Sequence, residues 1–212
     1  MIMSYPEEWN RLPKHERKKK IKELQRERKQ RIELVKKIRK WGVILAFLIL
    51  LVLGFAQVTE KSPERIKLEQ EIEAISLDGK VEEFTIEGRN HVSAGTNVDY
   101  ETNPPTSGDH LAEAKSWGVY NTEIDDKAGV HGLEHGGIWI SYKDIGAEER
   151  QILEEIGKEN SQSTVVSPRS GNDNQIVVAS WGKLIRLESV DKALIQKYID
   201  TYKNQAPEKL AQ

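Results

Sequence analysis

The longest apolar stretch of the chain is WGVILAFLILLVLGFAQVT, Trp41–Thr59, with Lys40 before it, Glu60 after it and no charge inside it. At about 1.5 Å per residue a helix of this length reaches roughly 28 Å, close to the ~30 Å hydrocarbon core of a bilayer. The pattern therefore predicts a transmembrane helix, with Trp41 at the interface, where indole rings settle. A buried core helix is the competing reading. A cleaved signal peptide is disfavoured, because the run is long, begins forty residues in and is followed by no small-x-small site. Ahead of it, Ile21, Leu24, Ile32, Val35 and Ile38 give a charged helix over 14–40 only a ragged apolar stripe, and Arg28 and Arg31 interrupt any heptad seam.

Beyond the apolar run the periods shorten. Ser62–Pro63 reads as an N-cap followed by proline at the first helical position, and Leu68, Ile72 and Ile75 share one face until Asp78–Gly79 ends the segment. Val81–Ile86 is a candidate strand. Ile138–Tyr142 alternates and is rich in β-branched and aromatic residues, so it predicts a strand. A helix follows over Ala147–Gly157, then strands at Ser163–Ser167, Ile176–Trp181 and Lys183–Leu187. A last helix, Lys192–Lys203, is capped by Asp191 and offers Leu194, Ile195, Tyr198 and Ile199 to a core. Strands and helices do not alternate strictly. The expectation is an α+β protein: one transmembrane helix, then an antiparallel or mixed sheet domain with helices packed on one side. The domain boundaries read as 1–40, 41–59, 60–79 and 80–212.

Charge sharpens this division. Residues 1–40 carry fifteen Lys and Arg against six Glu, whereas the rest carries seventeen against twenty-eight acids, giving +9 and −11 within a net −2. Lys and Arg concentrate before the run, so the N-terminus is expected in the cytoplasm and residues 60–212 outside it, in the cell membrane as a single-pass protein. The expected partners are the bilayer through 41–59 and anionic lipid headgroups through the basic tail. An acidic C-terminal half argues against nucleic acid. No protein partner follows from these residues. With no cysteine, neither a disulfide nor a thiolate metal site is available.

The candidate chemistry lies between the expected strands, in His91–Tyr142. Four of the five histidines, His91, His110, His131 and His135, fall within 45 residues, punctuated by glycine and proline; His15 alone stands in the basic tail. Loops held by a scaffold often carry functional side chains. A lone histidine is more often structural, but four clustered imidazoles suit Zn, Cu, Fe or Ni. His131, Glu134 and His135 spell H-x-x-E-H, an inverted zinc-peptidase order in which Glu134 would be the general base. Gly132, Gly136 and Gly137 argue against the long helix that mechanism needs, and favour a loop running into a strand. Glu134 or Asp109 would then accept from an imidazole N–H. Asn103–His110 (NPPTSGDH) reads as a stiff turn that aims His110, and Ser107 lacks a nucleophile-elbow pattern. Trp117 and Tyr120 read as core aromatics.

PPTSGDH, WGVY, HGLEHGGIWISY, VVSPRS, ASWGKLIRL and YIDTYKNQAPE together resemble the bacterial domain-of-unknown-function 3105 family, over roughly Val81–Glu208. The resemblance maps the family pattern onto His91, His110, His131, Glu134 and His135, and implies one N-terminal membrane span. Asp109 departs from it, since proline is the more usual residue there. No activity comes with the resemblance. Three readings follow. The first is a domain binding copper or zinc through His91, His110, His131 and His135. The others are a metal-dependent hydrolase with Glu134 as base, and a non-catalytic envelope interaction domain.

Overall fold

The structure, a computed structural model, describes residues 6–59 and 62–212, and for 51–59 it describes the backbone alone. The chain divides into two compact units, Met1–Lys61 and Ser62–Gln212. In the first, a 3-10 helix, Glu7–Arg11, precedes one uninterrupted helix, α1 (Lys14–Thr59).

This corrects the expected transmembrane helix. Among the described residues no helix is long and apolar enough to cross a membrane. The described apolar side chains of the run, Trp41–Leu50, cover about 15 Å of helix, half of a ~30 Å hydrocarbon core. The rest of the expected span, 51–59, lies outside the residues whose side chains are described. The same helix carries Lys14 to Lys40 without a break, and Lys36 pairs with Glu33 at 3.1 Å on its surface. With the span goes the localisation that rested on it: a single-pass cell-membrane protein with a cytoplasmic N-terminus and an extracytoplasmic domain.

In the second unit, α2 (Pro63–Ala74) starts as its residues require, with Ser62 Oγ accepting from Arg65 N at 3.3 Å and Pro63 in the first turn. The remaining elements are β1 (Glu82–Glu83), β2 (His91–Val92), β3 (His110–Leu111), β4 (Gly118–Val119), α3 (Asp126–Glu134), β5 (Ile138–Tyr142), α4 (Ala147–Glu159), β6 (Thr164–Pro168), β7 (Ile176–Ser180), β8 (Lys183–Leu187) and α5 (Lys192–Tyr202). The sheet is mixed, in the order β1-β8-β7-β5-β6-β4, with β5-β7-β8 antiparallel and β4-β6-β5 parallel.

Period-2 alternation gives this sheet two apolar faces. Ile138, Ile140, Ile176, Val178 and Ile185 face a core completed by Leu153 and Ile156 of α4 and Leu194, Ile195, Tyr198 and Ile199 of α5. Trp139, Val177, Ala179 and Leu184 face the opposite way, onto Val130 and Leu133 of α3. Helices therefore cover both faces, not one. The sequence period shows which strand residues alternate, but the glycines around His131 hide α3, and with it the cover of the second face. The candidate strand Val81–Ile86 shortens to β1 for a local reason. After Phe84 N bonds Gly182 O (2.9 Å), the chain turns away, and Glu87 N goes to Ser107 Oγ (3.1 Å) in the site loops.

Candidate metal centre

The turn before His110 is held by its own polar groups. Thr106 N donates to Thr102 Oγ1 (2.9 Å), and Thr102, Thr106 and Ser107 are all buried. Gly108 takes φ +114°, and a Cβ there would lie 2.9 Å from the Tyr100 ring, so only glycine fits without strain. Gly108 N then bonds Gly88 O and His110 N bonds Asn90 O, which builds the short parallel β2–β3 pair and sets His91 opposite His110. Asp109 Oδ1 accepts from both Asn90 N and Asn90 Nδ2 at 2.9 Å. Asp109 thus fixes the residue before His91, instead of accepting from an imidazole as its place in the sequence suggested.

His131 and Glu134 come from α3, which corrects the expected loop. Asp125 caps the helix through Lys127 N (2.8 Å), and Ala128–Glu134 are all buried. Its glycines belong in the helix because large rings lie against them. A Cβ on Gly129 would come within 2.8 Å of Trp139, and one on Gly132 within 3.4 Å of Trp117. The helix stops in a Schellman turn: Gly136 at φ +87° donates to Leu133 O, and Gly137 N donates to Gly132 O. His131 and Glu134 are three apart and share a face, whereas His135 is the C-cap, where the helix is already ending.

Three imidazoles meet in front of that face. Ring centroids lie 5.1 Å apart for His91–His110, 4.9 Å for His91–His131 and 4.7 Å for His110–His131. One ligand atom each from His91, His110, His131 and Glu134 falls within 4.8 Å of the others. Tetrahedral zinc with bonds of about 2.1 Å would space its ligands about 3.4 Å apart, so the set needs only a small closure to hold such an ion. His110 is fully buried, His131 and Glu134 are each 5% exposed, and His91 stands at the solvent side.

The hydrogen bonds orient the set. His110 Nδ1 lies 2.8 Å from Gly108 O, and a carbonyl only accepts, so Nδ1 carries a proton. The other nitrogen, Nε2, lies 3.1 Å from Glu134 Oε2 without hydrogen-bond alignment. His131 Nδ1 is buried and has no hydrogen-bond partner among the described residues. Burial, and then the neighbouring His135, His110 and His91, hold His131 below the usual histidine range, against a smaller opposing contact with the Leu111 backbone. This favours the neutral imidazole that a metal needs.

His135 does not join the set. Its ring packs on that of His131 at 4.3 Å, but its Nε2 faces Glu208 Oε2 at 3.2 Å. Glu208 belongs to a C-terminal strap that the sequence did not signal. Asn204 N bonds Gly136 O, Glu208 N bonds Glu134 O and Leu210 N bonds His135 O, so the strap takes up carbonyls at the end of α3. A further residue that sequence reasoning missed is Arg89, whose Nη1 stands 3.7 Å from Glu134 Oε1. Its only signal was its position two residues before His91. His15 lies on α1, in the other unit.

A cluster of three histidines and one carboxylate, all but His91 buried, is thus the defining feature of residues 62–212, and those four side chains could hold a metal ion. The family model described as "Protein of unknown function (DUF3105)" matches residues 91–212, more than half of the chain, and the chain belongs to that family. No curated protein and no solved structure matches it.

Proposed function

We propose that this domain binds a divalent transition metal, zinc or copper, through one nitrogen each of His91, His110 and His131 and a carboxylate oxygen of Glu134. The observation that carries the reading is the buried confrontation of His110 Nε2 with Glu134 Oε2 at 3.1 Å. Nδ1 of the same ring already holds a proton for Gly108 O, so a neutral His110 sets an unprotonated nitrogen 3.1 Å from a carboxylate oxygen. Two electron-rich atoms in a buried place need a cation. A proton on Nε2 would serve this one pair as an ordinary ion pair. It would leave the buried His131 Nδ1 without a partner and would give no reason for His91 to approach both rings. A metal ion serves all four groups at once.

The donor set bears on the metal. Three imidazoles with a carboxylate suit Zn(II) or Cu(II), whereas the sequence of residues 62–212 holds none of the thiolates and thioethers that favour Cu(I). Cysteine is absent, and the two methionines are Met1 and Met3. The His110 Nδ1–H···O=C bond is the kind of contact that fixes a ligand's tautomer and ring orientation.

The test is metal content. The intact chain, purified without chelator and then exposed to equal Zn(II) and Cu(II), is expected to hold close to one ion per chain by elemental analysis. The double variant His110→Ala/His131→Ala should hold none. Equal metal in the wild type and the double variant would refute the assignment of these residues.

A further inference from the structure

We propose that the solvent-facing side of this site takes an oxyanion, a carboxylate or a phosphate group, held between the metal and the guanidinium of Arg89; the inference rests on the metal reading above. Burial gives the direction of approach. His110, His131 and Glu134 are closed off, while His91 is exposed, so a fifth group reaches the ion past His91. Arg89 stands on that side, two residues earlier in the loop that the β2–β3 pair holds in place. Its side chain is 63% exposed, and its one described ion pair is the 3.7 Å approach to Glu134 Oε1, which exceeds hydrogen-bond length. The N–H fork of the guanidinium therefore keeps donors for an incoming group.

Charge favours the same occupant. A dication held by three neutral imidazoles and one carboxylate keeps one positive charge uncompensated, and Arg89 adds a second at the entrance. A guanidinium fork matches the two oxygens of a carboxylate or phosphate, while a metal coordinates the same group through one of them. Any substrate or ligand of this domain would then present an anionic oxygen group, and Arg89 would decide its orientation.

The intact chain loaded with Co(II) gives visible bands that report on the metal's ligands. Titration with acetate and with inorganic phosphate, against chloride at matched ionic strength, is expected to give a saturable spectral change with at least one of them. The stronger arm identifies carboxylate or phosphate as the preferred group. In Arg89→Met the apparent affinity for that anion should fall at least tenfold while cobalt content and the Tm without metal stay unchanged. Arg89→Lys should fall between, because it keeps the charge and loses the fork. A loaded protein that shows no saturable change, or an Arg89→Met variant with unchanged anion affinity, overturns the inference and leaves the metal site standing. Failure to load cobalt, zinc or copper overturns the metal reading and this inference together.

Discussion

Metal binding by a folded site and not by the unfolded chain must raise stability by RT ln(1 + [L]/Kd). With free Zn(II) at one hundred times its Kd, that is about 2.7 kcal/mol. A unit the size of Ser62–Gln212 gains about 2–4 °C in Tm per kcal/mol, so the expected rise is about 5–11 °C. His131→Ala removes a ligand that is 5% exposed and lies within 4.7–4.9 Å, ring to ring, of the two other histidines of the set. If the affinity falls a hundredfold, the same free Zn(II) only equals the new Kd, and the gain shrinks to about 0.4 kcal/mol, or roughly 1–2 °C. The assay is calorimetry or circular dichroism on both proteins, each with and without Zn(II), repeated with Cu(II). Comparing each protein with itself removes whatever the substitution does to the metal-free fold. EDTA should reverse the rise. A wild type that does not shift with either metal, or a variant that shifts as much as the wild type, would refute the reasoning.

Other outcomes follow from the same geometry. His135→Ala is expected to keep the metal-dependent rise in Tm, because His135 faces Glu208 and lies outside the ligand set, whereas Glu134→Gln should lose most of it; a reversed order would show that the set is wrong. Gly137→Ala places a Cβ 2.1 Å from Trp117 Cζ3 and 3.0 Å from Gly132 O, an overpacking worth at least about 1–3 kcal/mol, so Tm should fall by some 2–12 °C in thermal melts. The metal-free protein should lose stability on acidification. The folded-state pKa of His131 is depressed below its ordinary value of 6.5, so the unfolded chain binds more protons there. That contribution is complete above about pH 6.5 and is lost as pH falls through the lower folded value. His131→Gln should flatten this part of the Tm–pH curve, and a curve of unchanged slope would count against the cause.

The main-sheet strands were legible where the alternation was clean: Ile138–Tyr142 and Lys183–Leu187 occur with the expected bounds. So did the capped helices, since Ser62 and Asp191 accept from Arg65 N and Leu194 N as N-caps should. Three things were not legible. Helix α3 was hidden because Gly132, Gly136 and Gly137 read as loop, when Gly132 and Gly137 lie against the Trp117 ring and Gly136 is the C′ residue of the helix stop. The strap of 204–212 carries no local pattern, and its function lies in backbone bonds to residues about seventy positions earlier. The third is the apolar run: it and the charged stretch over 14–40 were legible as helix, as α1 is, but among the described residues no helix is long and apolar enough to cross a membrane.

The helix stop also decides how H-x-x-E-H is used. On a continuing helix, His131 and His135, four apart, would point the same way and leave Glu134 beside the metal as a base. Here the Schellman turn ends the helix at Glu134, so the i and i+3 residues, His131 and Glu134, share the face, and His135 turns onto Glu208. Glu134 then lies among the ligand atoms, with His110 Nε2 at 3.1 Å and a side chain only 6% exposed. A carboxylate that coordinates the ion has its negative charge drawn toward the metal and is a weaker acceptor for a proton from metal-bound water. The reading that this favours is a binding centre whose open side is governed by His91 and Arg89, in preference to a hydrolase with Glu134 as general base. If Glu134→Gln kept the metal and abolished a hydrolytic turnover, that order would be reversed, and the glutamate would be the base after all.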